Sequence, residues 1–307
     1  MAIHGWLAGR EPGRIVASAI EHPSVLKPLE HFASLGWDVV LVPPDEDGLV
    51  CSETFIDALS GNTQLACLMA ANNETGAIQP VAEVGKACRK LDIALLVDAV
   101  QMLGKTPLDV REWQADFVSF SAHKIGGPKG VGVLVIGRAR QMQPLISGGG
   151  QERGRRSGTE NVAGVAGFAA AIGKLDFAQA KGIRDDFETL LLERLEGAKV
   201  FSKGSNRLPN TSMFSLPDID GETLLMQLDL AGFAVASGSA CSSGLQSASH
   251  VLMAMGYSET VARNSVRVSF GPDNTHDDAS ALVEELTTIC GRLRAMAGVD
   301  SHAGGRY

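Results

Sequence analysis

The chain has 307 residues, 45% hydrophobic and 20% charged, which excludes a disordered polymer and leaves room for one large and one smaller domain. Its 27 basic and 35 acidic residues give a formal charge of -8, the opposite of the basic surface a general nucleic-acid binder needs. No apolar run approaches the roughly 18 residues that cross a bilayer, and the first residues, interrupted by His4 and Gly5, lack the basic region of a signal peptide. A cytoplasmic protein without nucleic-acid or membrane partners is expected.

In chain order, short apolar runs at 15–18, 39–42, 65–71, 94–97, 117–120 and 131–136 read as buried strands. Between them, 22–35 and 81–91 carry apolar residues at helical spacing, with Pro23 suited to a first helical turn. This alternation predicts an α/β fold, a mainly parallel sheet with helices on both faces. The Ala- and Gly-rich stretch 161–175 predicts a helix packed closely on its neighbours. Beyond about residue 183 the pattern changes to helix 184–195, strands near Val200 and over 213–216, helix 222–230, a Gly/Ser loop, helix 248–255, strand 265–270 and helix 277–296. The expected division is a large domain over 1–180, a smaller α+β domain over 181–298 and a frayed tail over 299–307.

Ligands of open α/β sheets gather beyond the carboxyl ends of the strands. Three consecutive apolar runs end in polar groups: Asn72-Asn73-Glu74-Thr75-Gly76, Asp98-Ala99-Val100-Gln101 and Ser121-Ala122-His123-Lys124. Asp98 is either a helix N-cap or a carboxylate in a dry cleft, which would require a cation such as a protonated pyridine nitrogen. Lys124 is either a surface lysine or a desolvated amine able to form a Schiff base, with Ser121 and His123 placed to donate to a phosphate. His22 opens a helix and is either structural or able to stack on a flat ligand. Gly126 to Gly132 has the composition of a P-loop but not its spacing, and a strand follows it, so it reads as a tight turn. The basic loop 148–159 leads into a helix, where Thr159 and backbone N–H groups suit a phosphate.

Five cysteines at widely spaced positions suggest neither a metal site nor a disulfide framework. Cys67, Cys88 and Cys290 lie in apolar periodic segments and read as core residues. Cys241, inside Ser237-Gly238-Ser239-Ala240-Cys241-Ser242-Ser243-Gly244, is flanked by small residues that offer no packing role, which favours a nucleophilic thiol.

Together with Glu21-His22-Pro23-Ser24-Val25, the Gly148–Thr159 loop and Ser265-Val266-Arg267-Val268-Ser269, these segments resemble the cysteine desulfurases, fold-type-I pyridoxal-phosphate enzymes of the class-V aminotransferase group. The segments occur in family order over nearly the whole chain. The resemblance implies a homodimeric sulfurtransferase that converts L-cysteine to L-alanine and leaves a persulfide on Cys241. It implies pyridoxal 5'-phosphate as cofactor, with Lys124 as the Schiff-base lysine and Asp98 as partner of the pyridine nitrogen. His22 resembles the ring-stacking residue, Gln101 and Asn73 the groups near the ring hydroxyl, and Ser121 and His123 phosphate ligands. Thr159 resembles the phosphate ligand lent by a second subunit. Arg267 resembles the clamp on the substrate carboxylate, with Asn73 beside it.

The small-residue loop around Cys241 resembles the subgroup that hands sulfur to carrier proteins or iron–sulfur scaffolds. Full-length relatives carry a further segment before the present Met1, including part of the phosphate cup. The resemblance therefore implies a start-site error or a truncation. A selenocysteine lyase-like enzyme and a truncated, inactive paralogue that only dimerises or binds a partner stay open as alternatives at this point.

Overall fold

Strands buried on both faces must be apolar along their middle, and three runs in this chain meet that demand there. A computed structural model describes residues 1–137, 140–174, 176–238 and 248–296. In it β1 (Arg14–Ser18), β2 (Asp38–Val42), β3 (Thr63–Cys67), β4 (Ala94–Asp98), β5 (Phe117–Ser121) and β6 (Gly132–Ile136) form one sheet in the order β2-β1-β3-β4-β5-β6. All neighbours are parallel except β5 and β6. Ile15 and Val16, Leu65 and Ala66, and Ala94 and Leu95 meet no solvent, as the middle of a doubly covered parallel sheet requires.

Helix α1 (Ala2–Leu7) and helix α2 (Pro23–Ser34) share a core with the sheet. Val25, Leu29 and Phe32 of α2, at successive helical turns, are buried there. Trp6 of α1 packs on Phe117 and donates its indole N–H to the Gln64 carbonyl at 2.8 Å. Helix α3 (Ser52–Ala58) and helix α4 (Val81–Lys90) pack on each other. In α4, Gly85 is required: a Cβ there would fall 1.9 Å from the Trp113 carbonyl oxygen.

The first compact unit comprises Met1–Asn73 and Ala77–Asp176. It closes with a 3-10 turn, η1 (Ala122–Ile125), an irregular turn α5 (Gln151–Gly154) and helix α6 (Val162–Ile172). The second unit begins at Phe177 and also holds Glu74–Gly76. It contains α7 (Ala180–Arg194), β7 (Lys199–Val200), β8 (Thr211–Ser215), α8 (Gly221–Leu230), β9 (Ala236–Ser237), α9 (His250–Ala254), α10 (Glu259–Arg263), β10 (Ser265–Ser269) and α11 (His276–Met296). Its antiparallel sheet runs β7-β8-β10-β9, and Phe187, Phe214 and Phe270 stack in its core. The expected boundary near 180 compares with a division at Asp176, and the expected tail lies outside the described residues.

Three expectations need correction. The run 65–71 is a strand only to Cys67; beyond it Leu68 and Ala70 still donate backbone hydrogen bonds to Leu96 and Asp98, but regular pairing has ended. The run 131–136 is buried only at Val131: β6 is the antiparallel edge strand, with Val133 and Val135 exposed. Helix α6 packs closely along one face only, where Gly164 and Phe168 are buried; Val162 is 72% and Val165 55% exposed. Hydropathy reports that a segment favours burial, not which element covers it.

Candidate active site

The chemistry-bearing residues of the first unit stand where β1, β4 and β5 end. Asp98 is the last residue of β4, opposite Ser119 of β5. Its Oδ1 accepts the Val100 N–H at 3.0 Å, so it closes an Asx-type turn and caps no helix. Burial raises its pKa above the ordinary carboxylate value. The Val100 N–H, the His22 ring, Ser119 and the Lys124 ammonium all act in the opposite sense. Asp98, His22 and Lys124 therefore share one electrostatic environment.

His22 is the N-cap of α2. Its Nδ1 accepts the Ser24 N–H at 3.1 Å and lies 2.8 Å from Ser24 Oγ. That bond leaves Nε2 as the protonated nitrogen of the neutral ring. Lys124 sits in η1, immediately after β5, and is half-buried. Gly126, at φ +74°, ends that turn in the left-handed region, and β6 follows; the glycine segment is a turn before a strand, as its spacing predicts. Ser121 Oγ and His123 Nδ1 are 2.7 Å apart, and burial followed by Lys124 and Lys129 lowers the His123 pKa.

Gln101 accepts from Lys105 Nζ at 2.9 Å. Asn73 is half-buried in the loop after β3, and Thr159 is exposed in the loop before α6. Arg267 is the central residue of β10 in the second unit, opposite Met213 and Ala236. Cys241 lies outside the described residues. Cys67, Cys88 and Cys290 are buried, and burial pushes the Cys67 thiol well up and that of Cys290 to about 11, as inert core thiols should behave.

Two carboxyl groups that the sequence reading named within motifs, but without a role, are buried. Glu21, 1% exposed, accepts from Ser18 Oγ and from the Met69 N–H, both at 2.6 Å. Burial nevertheless pushes its pKa to about 8, with the nearby Asp98 adding to the rise. An acid directly after an apolar run was the signal that selected Asp98; Glu21, three residues past the end of β1, is a weaker instance of it. The second group is Glu74, 3% exposed, which accepts from Ser249 Oγ and is pushed up to about 7 chiefly by burial.

Glu21 makes stability depend on pH. The folded state keeps its proton up to about pH 8, whereas the unfolded chain loses it near 4.5. Stability therefore falls as pH rises through that window, by up to about 1.4 kcal/mol per unit. Glu21→Gln is expected to remove this slope, which urea unfolding at about pH 5.5 and about pH 7.5 would show; an unchanged slope would contradict the assignment.

The donor set fits a pyridoxal phosphate. A buried carboxyl such as Asp98 asks for a cationic partner, which a pyridinium nitrogen supplies. Lys124 brings a primary amine to the same place, and Ser121 and His123 bring hydrogen-bonding groups suited to an anion. A parallel sheet whose strand ends carry this set defines a fold-type-I pyridoxal-phosphate enzyme.

The family model described as aminotransferase class-V matches residues 1–282. A cysteine desulfurase of Enterobacter agglomerans is 38% identical over 292 residues, 94% of this chain and 73% of that protein. Among solved structures, a NifS-like protein superposes with TM-score 0.84 at 34% identity, over 94% of this chain and 78% of that one. The structure described as SspA in complex with cysteine gives TM-score 0.78 at 32% identity, over 89% and 78%. The chain belongs to the class-V aminotransferase family, in its cysteine desulfurase branch, and is a pyridoxal-phosphate-dependent enzyme.

Proposed function

We propose that the protein takes sulfur from L-cysteine onto Cys241, releases L-alanine, and passes the persulfide sulfur to an acceptor protein, such as an iron–sulfur scaffold, in the cytoplasm. The observation that carries this reading is the shared environment of Asp98, His22 and Lys124 at the strand ends. The similar SspA, described in complex with cysteine, supports the substrate. Among the described residues, no helix is long and apolar enough to cross a membrane.

When bound, pyridoxal phosphate supplies an electron sink for the bonds around the substrate α-carbon. Asp98 would pair with the protonated ring nitrogen and His22 would lie against the ring. Gln101 and Asn73 would serve the ring hydroxyl, while Ser121 and His123 would hold the phosphate. Lys124 Nζ would hold the cofactor covalently at rest and, once displaced by the substrate amine, would be free to take the α-proton of cysteine. Arg267 grips the substrate carboxylate with its planar fork, with Asn73 assisting. The Cys241 thiolate attacks the substrate sulfur, so a sulfur–sulfur bond forms as the carbon–sulfur bond breaks. The sum is cysteine plus a protein thiol giving alanine plus a protein persulfide.

We assign the working form as a homodimer in which Thr159 of one copy serves the phosphate of the other. The exposed apolar side chains of β6 and α6, Val133, Val135, Val162 and Val165, support a covered face there.

Incubating the cofactor-loaded protein with cysteine, without a reducing thiol, is expected to give about one alanine per chain and one extra sulfur on the Cys241 peptide by mass spectrometry. A protein that makes no alanine, or that carries the sulfur on Cys51, would overturn the reading.

A further inference from the structure

The second unit buries a carboxyl to which the chemistry above assigns no task. Glu74 lies near the start of the sequence yet packs with the second unit. The backbone secures it there: Gly76, at φ +79°, would bring a Cβ within 3.3 Å of Thr211, and its carbonyl accepts the Leu208 N–H at 2.9 Å. Ser249 Oγ donates to Glu74 Oε2 and accepts the Leu252 N–H at 3.1 Å as N-cap of α9. Gly238 completes the cluster, since a Cβ there would meet Met213 Cε at 2.5 Å and Ser249 Cβ at 3.2 Å. Met213 is the register partner of Arg267.

Among the described residues, the charged and titratable side chains on and around these packed segments include Arg267 of β10, His250 at the start of α9, and Arg207, which pairs with Glu188, beside Leu208, whose carbonyl accepts from Arg184. Burial pushes the Glu74 pKa up to about 7, while the Ser249 hydrogen bond and, after it, the charge of Arg267 act in the opposite sense. An ionised carboxylate beside a guanidinium in a poorly solvated place is the same chemical group that an amino-acid substrate would present.

We propose that Glu74 is a positioning residue for the carboxylate clamp: it serves as the internal counter-charge of Arg267, and the substrate carboxylate competes with it. The proposal rests on the assignment of Arg267 as clamp. Ionised Glu74 opposes substrate binding, and protonated Glu74 leaves the guanidinium available. Affinity for an amino-acid carboxylate therefore weakens as pH rises through the titration of Glu74.

The test uses cofactor-loaded protein titrated with L-alanine, which carries the carboxylate but no sulfur, and follows the cofactor absorbance. At about pH 8, Glu74→Gln is expected to bind alanine about three- to tenfold more tightly than wild type, with little difference at about pH 6. The KM for cysteine should fall in step while kcat stays within about twofold. Ser249→Ala removes the hydrogen bond that most lowers the Glu74 pKa, so it should give a smaller gain of the same sign at about pH 8. Unchanged or weaker alanine binding by a folded Glu74→Gln at the higher pH overturns the proposal.

Should that variant fail to fold, wild type carries the test through propionate, a carboxylate without an amine. Its inhibition constant should rise across the same pH range, and a constant value overturns the proposal. Arg267→Ala separates the two levels. Wild-type alanine affinity in that variant would refute the clamp itself, whereas lost affinity in it together with no gain in Glu74→Gln refutes only the role of Glu74.

Discussion

Cys241→Ser is expected to lower alanine production from cysteine by about a thousandfold while leaving the protein yellow with bound cofactor. A hydroxyl at that position has the right size but is not a sulfur nucleophile, so the carbon–sulfur bond of the substrate finds no acceptor. Cofactor binding draws on Asp98, Lys124, Ser121 and His123, which the substitution leaves untouched. The other cysteines provide no substitute, because Cys67, Cys88 and Cys290 are buried and Cys51 is tied to Glu53 at the start of α3. Alanine and sulfide assays beside an absorbance spectrum check the split. A serine variant that desulfurates normally would remove Cys241 from the mechanism.

Lys124→Ala is expected to have a larger effect, because it strikes binding and chemistry together. The amine holds the cofactor and then takes the α-proton, so its loss should bleach the protein and reduce turnover by more than about a thousandfold. The fold should survive: Lys124 is half-buried in a 3-10 turn whose apolar residues, Ala122 and Ile125, point the other way into a small core with Val131 and Phe168. Circular dichroism and thermal unfolding of the variant separate a lost amine from a lost structure. Added methylamine offers a further check, since a small amine can restore part of the proton transfer but not the covalent hold on the cofactor.

Much of the first unit was legible because a parallel sheet covered on both faces leaves its inner strands as apolar runs, and β1 and β4 read directly. The short helices were not. α1 has six residues and no side-chain cap bond, and α3 has seven and begins at Cys51 without one, so neither shows a full period or a start signal. In β6 the composition of a buried strand occupies an exposed edge, because a single sequence records an apolar preference without naming the surface that satisfies it.

The same contrast holds at the site. Asp98 and Lys124 stood out because a polar residue directly after a buried strand has few bland explanations, and Glu21 carried a weaker form of that mark. Glu74 stood in the polar segment that follows β3, but what it bonds to could not be read locally, since its hydrogen-bond partner Ser249 is 175 positions away. Arg267 sits between Val266 and Val268 at the centre of a five-residue strand, where only the resemblance, and not periodicity, pointed to a ligand.

The most direct test of the central claim is chemical trapping. Cofactor-loaded protein is reduced with borohydride, digested, and the labelled peptide sequenced by mass spectrometry. The account predicts one phosphopyridoxyl group per chain, on the peptide bearing Lys124. A label on another lysine, or a chain that takes up pyridoxal phosphate and yields no reduced adduct, would contradict it.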